Sequence, residues 1–247
     1  MFRKVKILGI DIGGSGVKGA IVNVKTGRIL SERVRISTPS DSSPESLSNV
    51  MLEIIDHLDW KGKIGVGFPG VIQNSKVITA ANLSKDWIGV DIDHFLTNKL
   101  KSKVKVINDA DAAALAEARF GQEYQKYSKM VVVTIGTGIG TSLIHNGYVV
   151  ENTELGQIVL KNGKVAEKFV SAATKKKKDL SWKEWGERLN VYLQELYELV
   201  YPEIIIIGGG VSKHEKKYRE YLQPPCKVKM ATLKNTAGII GAATNFS

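Results

Sequence analysis

The sequence predicts an α/β protein made of two related α/β units with a cleft between them, and three stretches carry that prediction. Ile7 to Gly19, ILGIDIGGSGVKG, is an apolar, β-branched run that ends in a glycine turn. Met130 to Ile144, MVVVTIGTGIGTSLI, repeats the pattern of strand, glycine turn with a hydroxyl residue, and second strand. Ile204 to Ser212, IIIIGGGVS, runs a further apolar strand into three glycines. The recurrence of one pattern makes the chain read as two copies of one unit, each an antiparallel hairpin followed by alternating helices and parallel strands.

The elements follow in order. After the first glycine turn, Lys18 to Val24 and Ile29 to Ile36 read as strands, with a turn at Lys25-Thr26-Gly27-Arg28 between them. Ser43-Pro44-Glu45 supplies an N-cap with proline at the first helical position, and Leu47, Val50, Met51, Ile54, Ile55 and Leu58 recur at helical spacing. Lys63 to Phe68 is a buried strand stopped by Pro69-Gly70, and Val71 to Gly89 is expected to be an irregular, polar, functional loop. A short helix spans Asp91 to Leu100 and a strand Val104 to Ile107. Asn108-Asp109 then caps an alanine-rich helix, Ala110 to Phe120, ended by Gly121. From Met130 the order is strand, glycine turn, strand, a turn at Asn146-Gly147, strand, the NTELGQ stretch and a further strand-like run. Ser181 and Glu184 have capping-box spacing ahead of a helix whose apolar face carries Trp185, Leu189, Tyr192, Leu193, Leu196 and Val200. Strands at Glu203 to Ile207 and Val228 to Ala231 and a small-residue helix from Ala237 to Ala243 complete the chain.

A chain of 247 residues with 43% hydrophobic and 24% charged residues can bury one or two substantial cores, so disorder is not the default. Arg3, Lys4 and Lys6 precede the first apolar run, but Asp11 and the glycines cut that run short of a signal sequence or a membrane span. The expectation is a cytoplasmic protein. A single cysteine, Cys226, permits neither an internal disulfide nor a cysteine-based zinc site, and its expected role is a partly buried small residue. His57, His94, His145 and His214 show no metal spacing. The formal charge of +10 favours polyanionic partners: nucleic acid, an anionic membrane surface or a phosphate-rich substrate.

The glycine turns suit phosphate. Glycine allows backbone N–H groups to approach an anion that a side chain would block, and Ser15 and Lys18 add a hydroxyl and a cation to the first turn. Asp11, a carboxylate placed in an apolar strand, needs a partner, and a divalent metal bound through oxygen is the expected one. Neither turn matches GxxxxGK[ST], and neither leads directly into a long helix as a dinucleotide-binding unit would. Two hairpins facing one phosphate chain is the picture that follows.

Taken together, LGIDIGGSGVKGA, GVGFPGV, AANLSKDW, INDADAAALAE, TIGTGIGTSLI, NTELGQ and IIIIGGGVS resemble, in the same order, the motifs of the ROK (repressor, open reading frame and kinase) sugar kinases of the actin-like ATPase superfamily. TAANLSKDWIG and NTELG are most similar to the polyphosphate-dependent branch of glucokinases. The resemblance implies an actin-like, ribonuclease H-like fold, with a small α/β domain over 1–119 plus 235–247 and a large one over 120–234, a homodimer, and a C-terminal helix returning to the first domain. It implies phosphorylation of glucose at the 6-hydroxyl, with inorganic polyphosphate and ATP as donors and Mg²⁺ held at Asp11. Asp109 would be the general base. Asn82, Asn108, Asp109, Glu154, Gln157 and Glu167 would line the sugar. Gly13, Gly14, Ser15, Lys18, Gly136, Thr137, Gly138 and Gly140 would hold phosphate, and Gly209 and Gly210 would lie near a nucleotide. Gln157 stands where the family usually has histidine, and the cysteine-rich zinc segment of many members is absent.

Other readings remain beside this one. An ATP-only kinase for another hexose or an N-acetylated hexosamine has the same motifs, and a non-catalytic sugar or polyphosphate sensor would fit the change at Gln157. The retained Asp11, Asp109 and both hairpins argue against a sensor. With no winged-helix segment before Met1 the repressor branch is not expected, nor is a nucleic-acid or membrane partner, because the motifs supply no helix or aromatic platform for bases. Lys175 to Lys178, with Lys18 and Lys85, read either as solvated charge or as a basic track for polyphosphate.

Overall fold

The computed structural model describes residues 5–121 and 124–246 and divides into two compact units, Met1–Phe120 with Thr236–Ser247, and Gly121–Asn235. Arg3 and Lys4 lie outside the described residues.

In the first unit, β1 (Lys6–Gly13) and β2 (Gly16–Asn23) form the hairpin, and β3 (Arg28–Ile29) and β4 (Val34–Ile36) both pair with β2. Helix α1 (Pro44–His57) is capped by Ser43, whose side chain accepts from the Ser46 N–H. Strand β5 (Ile64–Phe68) follows, then the two-stranded β6 (Ile72–Gln73) and β7 (Lys76–Val77) ribbon, α2 (Ile92–Leu100), β8 (Val104–Asn108) and α3 (Asp109–Phe120). The sheet order is β3-β2-β1-β5-β8, with β1, β5 and β8 parallel. Every residue of β5 is buried, as expected for a strand covered on both faces.

The second unit repeats this plan. Strands β9 (Lys129–Ile135), β10 (Ile139–His145) and β11 (Tyr148–Val150) form the antiparallel part. Short helices α4 (Ala166–Val170) and α5 (Ala172–Lys177) lead to the long α6 (Trp182–Val200), then β12 (Ile204–Gly208) and β13 (Lys227–Met230), in the order β11-β10-β9-β12-β13. The Ser181–Glu184 capping box is formed in both directions, and the Trp185 indole N–H donates to the Val170 carbonyl at 2.7 Å. Trp185, Leu189, Tyr192, Leu193 and Leu196 are all fully buried, so the helical periodicity of the sequence becomes the core face of α6.

The closing helix α7 (Ala237–Thr244) belongs to the first unit, where it packs on β1, β5 and α3. Its small residues let backbone meet backbone. A Cβ on Gly65 would overlap the Ala242 carbonyl, and one on Gly241 the Ala112 carbonyl.

Three expectations are corrected. Ile29 to Ile36 is not one strand, because the chain leaves the sheet at Ser31–Arg33 between β3 and β4. Val71 to Gly89 is not irregular throughout: it holds the β6–β7 ribbon and a 3₁₀ turn at Lys85–Trp87. Trp87 accounts for the order. It is fully buried, packs edge-on to Phe68 at 5.2 Å and Phe95 at 5.9 Å, and donates its indole N–H to the Ser42 carbonyl at 3.0 Å. After NTELGQ the expected strand is only an isolated bridge, Val159 to Val165. Lys175–Lys177 form the last turn of α5, whose N-terminus is capped by the Ser171 hydroxyl, and Lys178 is its C-cap.

Candidate active site

In the first unit the register places the candidate residues in one row. Asp11 of β1 pairs with Gly67 of β5, Gly67 pairs with Ile107 of β8, and Asp109 follows two residues later as the first residue of α3. These are the carboxyl ends of adjacent parallel strands, where open α/β sheets bind ligands. Neighbouring strands lie ~4.8 Å apart, so Asp11 and the start of α3 are separated by roughly 10 Å, room for a phosphoryl group and a hydroxyl.

Asp109 is half-buried, and its Oδ1 accepts from the Ala110 N–H at 2.8 Å. At the first turn of a helix its charge is favoured by the backbone dipole. Asn108 is buried and mostly committed to structure: its carbonyl oxygen accepts from the Ala110 and Asp111 N–H groups at 2.9 and 3.0 Å, and its amide donates to the Gly70 carbonyl at 3.1 Å. The second amide N–H of Asn108 is left over from these structural bonds as a donor. Asn82 is exposed on the chain that follows the ribbon, with its Cβ 3.7 Å from where a Cβ of Gly14 would stand.

Asp11 has a partner that the sequence does not announce. The Lys18 ammonium, opposite it in the hairpin register, donates to Oδ2 at 3.0 Å. The carboxylate expected to serve a metal alone is therefore shared with a cation. Arg35 and Thr38 are further residues missed by sequence reading: the Arg35 guanidinium donates to the Ser15 carbonyl at 3.1 Å, and the Thr38 hydroxyl to the Gly13 carbonyl at 2.5 Å. Arg35 lies opposite Lys18 in the β2–β4 register, and only that pairing reveals it.

In the second unit the Gly136–Gly138 turn closes on itself, with the Gly136 N–H donating to the Gly138 carbonyl at 3.0 Å; Thr137 at its tip is exposed. The Gly140 carbonyl accepts from the Thr134 hydroxyl at 3.2 Å. Glu167, in the first turn of α4, receives the Ile139 N–H on Oε2 at 2.8 Å and fills the space a Cβ on Gly138 would need. Gly209 follows β12 with φ +78°, and its missing Cβ would collide with the Ile135 carbonyl. Only glycine satisfies both conditions at once. Gly210 is open, with nothing near its missing Cβ.

The NTELGQ segment is pinned to β10 by Thr141, whose hydroxyl accepts from the Leu155 N–H at 2.8 Å and donates to the Thr153 carbonyl. Glu154 begins a 3₁₀ turn, Leu155–Gln157, with the Gln157 side chain exposed. Burial of its carboxyl group, and next the negative charge of Glu167, raise the Glu154 pKa above the ordinary carboxylate value, although the residue as a whole is solvent-exposed. Glu154 and Glu167 thus form a pair suited to accepting hydrogen bonds from hydroxyls.

His57 pairs with Glu32 at 2.7 Å, and Cys226 is half-buried. Among the described residues no group of three or more His, Cys, Asp or Glu side chains gathers for a metal, and no helix is long and apolar enough to cross a membrane.

Residues 7–162 match the profile of the ROK family. The chain is 38% identical to the polyphosphate glucokinase of Mycobacterium tuberculosis (strain CDC 1551 / Oshkosh), over 95% of this chain and 89% of that protein. Its fold superposes on the inorganic polyphosphate/ATP-glucomannokinase of Arthrobacter sp. strain KM with a TM-score of 0.92 and 41% identity, covering 98% of each chain. It also matches a ROK family glucokinase from Streptomyces griseus, solved with glucose and AMPPNP, with a TM-score of 0.81 over 96% of this chain and 98% of that one; at 23% identity this likeness concerns the fold, which is actin-like.

Proposed function

The chain belongs to the ROK family, and we propose that it is a kinase that phosphorylates glucose at the 6-hydroxyl with inorganic polyphosphate, and with ATP, as phosphoryl donor. The observation that carries the reading is the 38% identity to a polyphosphate glucokinase over 95% of the chain. The row from Asp11 to Asp109 at the sheet's carboxyl edge supports it.

Asp109 accepts the proton of the sugar 6-hydroxyl as that oxygen attacks the terminal phosphorus, and the donor leaves one phosphate shorter. Phosphoryl transfer asks mainly for alignment and charge neutralisation, so one base and preorganised donors at the phosphates suffice. Asn82, Asn108, Glu154, Gln157 and Glu167 orient the sugar hydroxyls. Gly13, Gly14, Ser15, Thr137, Gly138 and Gly140 present backbone N–H groups to phosphate, Gly136 shapes its turn by donating its own N–H to the Gly138 carbonyl, Lys18 adds a cation, and Gly209–Gly210 receive the nucleotide. Magnesium fits this set through Asp11, since the ion commonly binds one or two carboxylates plus substrate phosphates. When bound it would neutralise charge on the donor. The enzyme works in the cytoplasm as a homodimer.

The test is a donor-by-sugar activity matrix with purified protein: polyphosphate and ATP against glucose, other hexoses and N-acetylhexosamines. The expected result is glucose phosphorylation with both donors. Activity with ATP and an N-acetylhexosamine alone would replace this reading.

A further inference from the structure

Residues 173–188 and 210–219 carry ten Lys and Arg against four Asp and Glu, which is six of the ten surplus positive charges of the chain in about a tenth of its length. Two elements of the second unit gather these charges. Helix α5 ends in Lys175, Lys176 and Lys177, with Lys178 as its C-cap. The 3₁₀ segment Gly210–Lys217 carries Lys213, His214, Lys216 and Lys217.

The two elements converge on one indole. Lys175 Nζ lies 4.4 Å from the Trp182 ring centroid and Lys217 Nζ 5.8 Å, while the His214 ring is tilted against it at 4.9 Å. Trp182 is itself held in place, stacked on Tyr218 at 5.9 Å and edge-on to Trp185 at 5.6 Å. The π-electrons of the indole thus attract both ammonium groups. Lys176, Lys177, Lys178, Lys213 and Lys216 are exposed and, among the described residues, form no ion pair. Of the four carboxylates in these stretches, Glu184 is occupied in the capping box. The helix dipole explains lysines in the last turn of α5, but not those of the facing segment.

Both elements start at the phosphate turn. The Ala172 N–H donates to the Gly136 carbonyl at 3.0 Å, and Gly209, just before the 3₁₀ segment, is wedged against Ile135. A cationic surface therefore runs from the Gly136–Gly138 turn along α5 and the facing segment to Trp182.

We propose that this surface is a second anchoring site for inorganic polyphosphate, which holds the chain beyond the phosphates at the Gly136–Gly138 turn. The proposal rests on the polyphosphate-donor reading above. A flexible linear polyanion with one charge or more per phosphate matches a strip of lysines without needing base-specific contacts. Nucleic acid fits less well, because Lys175 and Tyr218 already pack against the Trp182 ring on which a base would stack.

The experiment compares the full-length wild type with K176Q/K177Q/K178Q/K213Q/K216Q and with a control that loses five exposed lysines of the first unit, K25Q/K61Q/K76Q/K101Q/K103Q. Binding of long-chain polyphosphate is measured across a salt series, and KM for long-chain polyphosphate, tripolyphosphate and ATP is measured at about 0.15 M salt. The expected result for the first variant is at least about tenfold weaker polyphosphate binding and a salt slope smaller by about 3.5, at roughly 0.7 per lost cation contact. Its KM for ATP and tripolyphosphate stays at the wild-type value, which also shows that it is folded. Unchanged affinity and slope would overturn the proposal, as would an equal loss in the control, which would make net charge the cause. Tighter binding of single-stranded DNA than of polyphosphate through the same lysines would overturn it too. If wild type binds long chains through these lysines but transfers no phosphate from them, the anchoring site stands and the donor reading falls.

Discussion

Asp11→Asn separates the ion pair that this carboxylate makes with Lys18 from the metal-holding role proposed for it. The Asp11 and Lys18 side chains are only 18% and 28% exposed, and their 3.0 Å contact is worth about 5 kcal/mol at an effective dielectric of ~20 and about 1.4 kcal/mol in bulk water. Desolvation of both groups offsets much of this, which leaves a net coupling of about 1–3 kcal/mol, the range of hydrogen bonds to charged groups. The assay is a double-mutant cycle of Asp11→Asn and Lys18→Met by denaturant unfolding in EDTA, with the Mg²⁺ dependence of turnover measured in parallel. The stability coupling should appear without metal, and Asp11→Asn should also raise the Mg²⁺ concentration for half-maximal turnover by about tenfold, one tenfold step being ~1.4 kcal/mol. Coupling near zero would show that the ion pair is not held in solution. An unchanged Mg²⁺ requirement would refute the metal role and leave Asp11 as a structural partner of Lys18.

Four further outcomes are expected. Asp109→Asn should lower kcat by about 10² to 10⁴-fold with KM for glucose nearly unchanged, the usual range for removing a general base, and turnover within a fewfold of wild type would remove Asp109 from that role. Gln157→His should preserve or tighten glucose binding, because histidine is usual at this position in the family; a large loss of affinity would point to a rearranged pocket for another sugar. Glu154 has a raised pKa, so the folded state favours its protonated form, and the contribution to stability present at low pH is lost as pH rises through the folded pKa. Glu154→Gln should therefore gain stability relative to wild type between about pH 4 and pH 8, and a difference independent of pH would refute the assignment. Gly241→Ala forces a methyl into the Ala112 carbonyl and should destabilise the first unit by about 3 kcal/mol or more; a loss near zero would mean that α7 and α3 are not in backbone contact.

Local chemistry was legible residue by residue. Ser43 and Pro44, the Ser181–Glu184 box, Asn108 at the start of α3 and the positive φ at Asn146 and Gly147 all appear where side-chain hydrogen bonding and backbone sterics require them. The misplaced segments were those held by distant partners. Val71 to Gly89 reads as loop because its order comes from Trp87 reaching Ser42 across 45 residues, and α4 and α5 escaped notice because helices of five and six residues show too little periodicity.

The sequence by itself determined the repeated unit, the sheet strands, the glycine turns and the identity of the chemical groups, because these follow from apolar periodicity and from what each side chain can donate, accept or sterically allow. Tertiary structure alone decided the partners. That Asp11 meets Lys18, that Arg35 reaches the Ser15 carbonyl, and that Lys175 and Lys217 share the Trp182 ring are consequences of strand register and helix packing. Charges far apart along the chain become neighbours only when burial of the intervening apolar faces outweighs the entropy of bringing them together.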